Sequence, residues 1–218
     1  MAYAPDLSRL LQPGFSYPDK HGATVTITPL PIGPSVCPTG RIVGCDPLVN
    51  RDADPFLVAV EPGTYQLTAW VAVFVLDGAE VQRRNAALEL RISEEATAAW
   101  EMATTRVESD VDGLGDDGFF GYSVDAGCGT LADHGALRPL VEDEYGELVD
   151  ELLLDEMDWE APIKGIANAV TDEATGANVA VVGSGWGDGA YPTFIGRDEA
   201  GAVTCYVTDF LVIADPVE

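Results

Sequence analysis

Apolar and polar positions alternate along much of the chain with the two-residue period of β-strands. The stretches TYQLTAWVAVFVL and EVQRRNAALELRI flank Asp77-Gly78, a dipeptide typical of two-residue hairpin turns, and predict one long hairpin. In its second strand Leu88, Leu90 and Ile92 alternate with charged residues, which predicts one solvent-facing side. The pattern therefore favours an antiparallel sheet.

Three further strands are predicted near the C-terminus. NVAVVGSG is apolar without a helical period, while AYPTFIG and AVTCYVTDFLVI are separated by a turn that ends in Gly201. We expect these segments to form a three-stranded antiparallel meander whose first connection is the loop from Trp186 to Gly189. Shorter strands are predicted in RIVGC, FLVAV and FFGYSVD.

Helical patterns are fewer. Ser93 followed by two glutamates predicts a helix through Ala103, with the hydroxyl as N-cap. After Pro139, apolar residues recur at helical spacing opposite a row of carboxylates, which predicts an acidic amphipathic helix. The apolar row is Leu140, Val141, Tyr145, Leu148, Val149, Leu152 and Leu153, and the acidic row is Glu142, Asp143, Glu147, Asp150 and Glu151. The predicted fold class is α+β, with a mainly antiparallel sheet, a C-terminal meander and a few packed helices.

In the N-terminal segment the alternating strand pattern is interrupted. This segment contains a short helix and the strand ATVTITPLPI, whose alternation breaks at Pro29 and Pro31. We expect residues 1–37 to form a peripheral helix and strand, and residues 38–218 to form a single acidic α+β domain. A chain of 218 residues with 47% hydrophobic residues can bury such a core.

The net charge of the chain limits the classes of partner that it can bind. The formal net charge is −26, and residues 101–160 contribute 18 acidic and two basic residues, a net of −16. Such a charge repels nucleic acid and anionic lipid surfaces, so we expect neither as a partner. It permits a basic protein partner, imitation of nucleic acid, bound cations or a merely solvated surface. Arg83 and Arg84 stand out in this background, either as an anion clamp or as counter-charges to neighbouring carboxylates.

The expected compartment is the cytoplasm. No signal-peptide pattern and no run of eighteen apolar residues occurs in the sequence. The cysteines have no zinc-site spacing and are expected to be free thiols.

The loop GSGWGDG is the leading candidate for a site. Its glycines allow close approach of a backbone or ligand, and Trp186 and Asp188 are its large side chains. With Ser184 and Tyr191 they form the set of candidate binding residues. One interpretation makes Trp186 an apolar wall and Asp188 a hydrogen-bond acceptor or metal ligand. In the other, Trp186 caps the core and Asp188 accepts hydrogen bonds from its own turn.

Three aspartates near strand ends are candidates for chemistry. Asp125, Asp188 and Asp209 either converge on a cation or protonated substrate, or accept hydrogen bonds within separate turns. His134, next to Asp133, would supply an acid/base group.

A second possible cation site is the acidic stretch DVDGLGDD. Asp110, Asp112 and Asp116 partly match a calcium loop, although Leu114 and Gly121 stand where oxygen ligands are needed. The divalent cation would be calcium or magnesium; the alternative is a solvated loop.

Several motifs together resemble the bacterial domain-of-unknown-function family 4241. They are GCDPLV, FGYSVDAGCGTLAD, SGWGDGAYPTFIGRDEAG and VTDF, of which SGWGDGxY is the most specific. The resemblance runs from about Pro38 to Ile213 and departs at Cys128-Gly129, where a threonine and a small residue or cysteine are expected. It implies no particular activity.

These observations favour a non-catalytic function. We expect an acidic binding protein, of the immunity or inhibitor type, that neutralises a basic partner. The alternative is a metal-assisted hydrolase or transferase that uses Asp125, Asp188 and Asp209 with His134 as base. GxSxG and HExxH motifs are absent from the sequence.

Overall fold

Strands dominate the computed structural model, which describes residues 2–107 and 110–213. Within these ranges the strands are β1 (Ser16–Pro18), β2 (Thr24–Cys37), β3 (Ile42–Cys45), β4 (Gly63–Leu76), β5 (Ala79–Arg91), β6 (Ala99–Met102), β7 (Tyr122–Val124), β8 (Cys128–Asp133), β9 (Ala167–Asp172), β10 (Ala177–Gly183), β11 (Gly189–Tyr191), β12 (Thr193–Arg197) and β13 (Val203–Asp209). The helices are α1 (Leu7–Leu10), α2 (His134–Glu142) and α3 (Glu147–Val149), the last running into a π-helical turn, Asp150–Leu154. The fold is α+β and mainly antiparallel, as the sequence predicts.

The long hairpin is confirmed as the centre of the larger sheet. Asp77 and Gly78 have φ values of 52° and 79°, so both adopt the left-handed conformation that a tight two-residue hairpin turn requires. β4 and β5 pair along their length in a seven-stranded sheet of order β1-β2-β4-β5-β13-β12-β6. Because the turn and both strands are adjacent in sequence, local pattern was enough to predict this unit.

A second sheet carries the smaller core. Its order is β3-β8-β10-β9, and β7 pairs with β11 in a separate two-stranded ribbon. Ala180 and Val182 of β10 pack in the larger core, whereas Val179 and Val181 pack in the smaller core with α2 and α3. Burial on both faces explains why this strand reads as a continuous apolar run.

The prediction of a three-stranded C-terminal meander is wrong for its first pair of strands. β12 and β13 form the predicted hairpin, but β10 pairs with β8 and β9 in the other sheet. The loop after β10 therefore connects two different sheets. Pairing partners of an apolar strand are set by long-range packing, which periodicity does not report.

The helix predicted from Ser93 to Ala103 is also wrong. Residues 99–102 form β6, which pairs antiparallel with β12 and supplies an edge strand of the larger sheet. Hydrogen bonding along an otherwise open strand outweighs the local helical signal. FLVAV likewise forms no strand, whereas RIVGC contributes β3.

The acidic amphipathic helix is divided into two pieces. α2 ends at Glu142, and α3 begins after Gly146, whose φ of 75° is not helical. The Asp143 carboxylate accepts a hydrogen bond of 2.6 Å from the Leu148 N–H, which stabilises the break. As a result Val141 and Tyr145 are exposed, not buried as the helical spacing predicts.

The N-terminal segment contributes a long strand to the larger sheet. β2 lies inside the larger sheet and pairs with β4 from Thr24 to Cys37, with an irregularity between Pro31 and Gly33. Val25 and Ile27 are completely buried in the larger core. Pro29 and Pro31 are accommodated because β1 pairs with β2 only as far as Thr26, which leaves one side of β2 without a paired strand at the prolines.

Candidate functional site

The glycine-rich loop between β10 and β11 is held by hydrogen bonds among its own residues. The Ser184 hydroxyl donates to the Gly187 carbonyl at 2.8 Å, and the Gly187 N–H donates to the Ser184 carbonyl at 2.7 Å. The Tyr191 hydroxyl donates to the same Gly187 carbonyl at 2.7 Å. Ser184 and Tyr191 are both buried, so these two predicted binding residues fix the shape of the loop.

Gly185 lies where this loop meets the end of β13. Its φ is 48°, and an added Cβ would lie 2.6 Å from the Phe210 carbonyl oxygen and 2.8 Å from Val212 Cγ2. Tyr191 packs edge-on against Phe210 with ring centroids 5.2 Å apart. The contact requires glycine because any side chain would overlap backbone atoms.

Trp186 projects from the loop towards β5. Its side chain remains 56% exposed, and its ring lies 6.4 Å from the Phe74 ring. The guanidinium of Arg84 stands over the indole at 5.1 Å from its centroid, a cation–π distance. Trp186 is therefore largely exposed at the edge of the larger core.

A cavity of about 560 Å³ opens beside this tryptophan. Three of the chain's eleven lysines and arginines, Arg83, Arg84 and Lys164, line it together with the loop. Asn85 joins the two sheets there, because its Nδ2 donates to the Gly183 carbonyl at 3.0 Å. The cavity thus concentrates cationic groups within a strongly acidic protein.

The three candidate aspartates do not converge. Asp125 is exposed and accepts a hydrogen bond of 2.8 Å from Asn50, while buried Asp209 accepts bonds from the Tyr3 hydroxyl and the Leu211 N–H. Asp188 is exposed and accepts no hydrogen bond from the described part of the chain, contrary to the predicted turn contact. Across residues 2–107 and 110–213, no three His, Cys, Asp or Glu side chains are grouped to hold a metal ion.

His134 begins α2, next to a carboxylate that serves the backbone. Buried Asp133 caps the helix by accepting a bond of 2.7 Å from the Gly135 N–H, and it also accepts bonds from Thr39. His134 lines a separate cavity of about 190 Å³ with Arg51 and Arg138. Asp133 is thus a capping residue, and its hydrogen bonds are structural.

The predicted calcium loop has a turn-like arrangement. Asp110 accepts a hydrogen bond of 3.0 Å from the Gly113 N–H, three residues on, which closes a local turn. Asp110 and Asp116 are exposed, and Asp112 lies in the same surface turn.

Asp46 is the polar residue that the sequence reasoning did not single out. Its side chain is completely buried and accepts bonds from the N–H groups of Leu48, Asp125 and Ala126 and from the Cys128 thiol. It thereby fixes the turn that leads to β8, beneath the glycine-rich loop, whose Ser184 N–H donates to the Gly127 carbonyl. The available signal was its position in GCDPLV, one of the segments that carry the family resemblance.

The four thiols are expected to be unreactive in the native protein. Cys37, Cys45, Cys128 and Cys205 are buried, and burial raises the pKa of each, that of Cys37 to about 11. A thiol reagent at pH 8 should label none of them before denaturant is added. Because unfolded thiols ionise near pH 8.5, the contribution of the Cys37 thiol to stability is complete below that pH and is lost as the pH rises through about 11. Urea unfolding curves at pH 7.5 and 10 measure this loss; labelling of the native thiols would contradict the prediction.

None of the helices in the described ranges has the length and apolar character needed to span a membrane.

Comparison with known proteins places the chain in a family. The model of the family described as protein of unknown function DUF4241 matches residues 36–208, most of the chain and nearly the range of the predicted resemblance. No curated protein and no solved structure matches. The matched range contains Asp46, the cavity and the glycine-rich loop. The chain therefore belongs to the DUF4241 family.

Proposed function

We propose that the protein binds a basic protein partner through its acidic segment, residues 142–160, as an inhibitor or immunity protein does. The segment holds ten acidic residues and no lysine or arginine. Arg138 of α2 pairs with Glu142 at 2.7 Å, but both side chains are exposed, so this pair neutralises the segment weakly. A strongly negative surface of this kind steers a positively charged protein towards it.

Exposed apolar side chains within the acidic segment carry the proposal. Tyr145 is 83% exposed between Glu144 and Glu147, and Trp159 is 58% exposed between Asp158 and Glu160. A merely solvated acidic surface has no need of exposed aromatic rings. Protein interfaces, in contrast, are enriched in tyrosine and tryptophan, which supply much of the binding energy.

The segment is also anchored, which favours recognition of a defined partner. Val149 and Leu153 are buried in the smaller core. Arg51 donates hydrogen bonds to the Leu140 carbonyl at 2.7 Å and to the Leu48 carbonyl at 2.9 Å, which fastens the end of α2. A surface held in this way loses less conformational freedom on binding.

Two kinds of substitution test the proposal. Glu147→Lys with Glu151→Lys should slow association with partners captured from the native host about tenfold at low salt, because the segment loses its steering charge. Tyr145→Ala leaves the charge unchanged and should speed dissociation, again about tenfold, because it removes a contact residue. Surface-immobilised protein and purified partner give both rates.

The matched control has the same change in net charge at another place. Glu94 and Glu199 are exposed in loops of the larger sheet, and the pair Glu94→Lys with Glu199→Lys should leave both rates almost unchanged. If this control slows association as much as the test pair does, binding follows net charge alone and the acidic segment is not the interface. Unaltered dissociation of Tyr145→Ala would equally contradict the proposal.

The alternative, a metal-assisted hydrolase or transferase, stays a prediction. Among the described residues, its three aspartates are not grouped to hold a metal ion.

A further inference from the structure

We propose that the cavity beside Trp186 is a binding site for the phosphate or carboxylate group of a small molecule. The cavity lies between the first half of β5, the glycine-rich loop and residues 162–164. Its lining residues lie outside the acidic segment, so the test of this site is independent of the test of the proposed protein interface.

Two cations of the cavity have no acidic partner among the residues that the structure describes. Carboxylates outnumber lysines and arginines by 37 to 11 in this chain, so a surface arginine readily finds one. Arg83 does so and makes a bidentate pair with Glu80. Arg84 and Lys164 form no ion pair with any residue that the structure describes. Their charge is therefore available to an anion.

Arg84 has a buried donor beside the cavity. Stacking on Trp186 holds the planar guanidinium in place, and its Nε is buried with no hydrogen-bond acceptor in the described structure. A buried N–H without an acceptor costs free energy that a bound oxyanion would recover. A guanidinium presents parallel N–H groups that match the two oxygens of a carboxylate or phosphate.

Asn85, which is 2% exposed, also lines the cavity. Its Nδ2 donates to the Gly183 carbonyl, while its Oδ1 accepts no hydrogen bond from the described residues. An unused buried acceptor beside a cationic group suits a ligand that carries a hydroxyl or N–H next to its anionic group.

The overall negative charge of the protein does not preclude such a ligand. At 0.15 M ionic strength the screening length is about 8 Å, so distant carboxylates are largely screened while groups in contact with the ligand are not. Glu80, the acidic residue that lines the cavity, is already paired with Arg83. Arg84 and Lys164 therefore determine the local charge at the site.

The test uses inorganic phosphate and acetate as probes, each compared with sodium chloride at equal ionic strength. The four tryptophans give four indole N–H signals in a ¹⁵N–¹H spectrum, and Trp186→Phe identifies the relevant one. We expect phosphate, acetate or both to shift that signal saturably. At about twenty times the Kd the probe should also raise Tm by roughly 4 °C. The probe that acts distinguishes a phosphate site from a carboxylate site.

Substitutions then assign the effect to the cavity. Arg84→Gln and Lys164→Gln should each weaken binding of the active probe about tenfold. Lys164 is exposed and unpaired within the described chain, so its substitution tests the site even if Arg84→Gln folds poorly. The matched control is Arg9→Gln, because Arg9 also stands over an aromatic ring, Phe15 at 5.8 Å, but is paired with Asp6.

Two results would overturn the proposal. One is an indole signal and a Tm that respond to both probes no more than to chloride. The other is an affinity for the active probe that Lys164→Gln reduces no more than Arg9→Gln does, with the same result for Arg84→Gln if that variant folds. Tyr145→Ala should have no effect on these measurements, which keeps the result independent of the protein interface.

Discussion

Asp46→Ala should lower the free energy of unfolding by about 3–5 kcal/mol, the largest effect that we expect from any single polar substitution. The carboxylate is completely buried and accepts three backbone N–H bonds and one thiol bond. Alanine would leave these donors without acceptors in a site closed to water. Each buried unsatisfied N–H group costs about 1–3 kcal/mol, although relaxation of the turn recovers part of the total.

Urea denaturation at pH 7 measures this effect, with Asp188→Ala as control. Asp188 is also an aspartate next to the end of a strand, but it is exposed and accepts no hydrogen bond within the described residues. Its replacement should change stability by no more than about 0.5 kcal/mol. Equal losses for the two variants would show that the Asp46 hydrogen bonds contribute little.

Gly185→Ala should be the most damaging change in the glycine-rich loop, with a loss of about 3 kcal/mol or more. The added Cβ would overlap the Phe210 carbonyl oxygen, 2.6 Å away, and backbone atoms at a strand end move only at a cost. The loop would have to shift away from β13, carrying Trp186 with it. We therefore also expect the indole signal of Trp186 to move in this variant.

Gly201→Ala separates the steric overlap from backbone strain. Gly201 has a φ of 85°, but an added Cβ there meets no atom within 4 Å. Its substitution should cost only about 1 kcal/mol, the penalty of a left-handed conformation for a residue with a side chain. Thermal unfolding of both variants provides the comparison, and similar melting temperatures would refute the proposed clash.

The predictions that held are those that depend on neighbours in sequence. The β4–β5 hairpin follows from Asp77-Gly78 and the alternation on each side of it. The helix from Ser93 failed because residues 99–102 complete the edge of a sheet, a requirement set by β12 far along the chain. The long acidic helix failed for a local reason, since Gly146 and the Asp143 side chain interrupt it.

The candidate site was predictable only in part. The loop around Trp186 was prominent from its glycines, and its residues do line a cavity. The approach of Arg84 from β5 depends on how two sheets meet, which no local pattern encodes. Asp46 was missed because an aspartate before proline is ordinary in a turn, and its burial arises from β7 and β8, which come later in the chain.

The position of β10 has a consequence for cooperativity. Successive side chains of this one strand, Val179 to Val182, belong alternately to the two cores. Removing β10 from its sheet would take packing surface from both cores at once and expose apolar side chains of each to water. We therefore expect the two cores to unfold together. A substitution that destabilises either core should lower the melting temperature of the whole protein, whereas a surface change such as Tyr145→Ala leaves the shared strand intact.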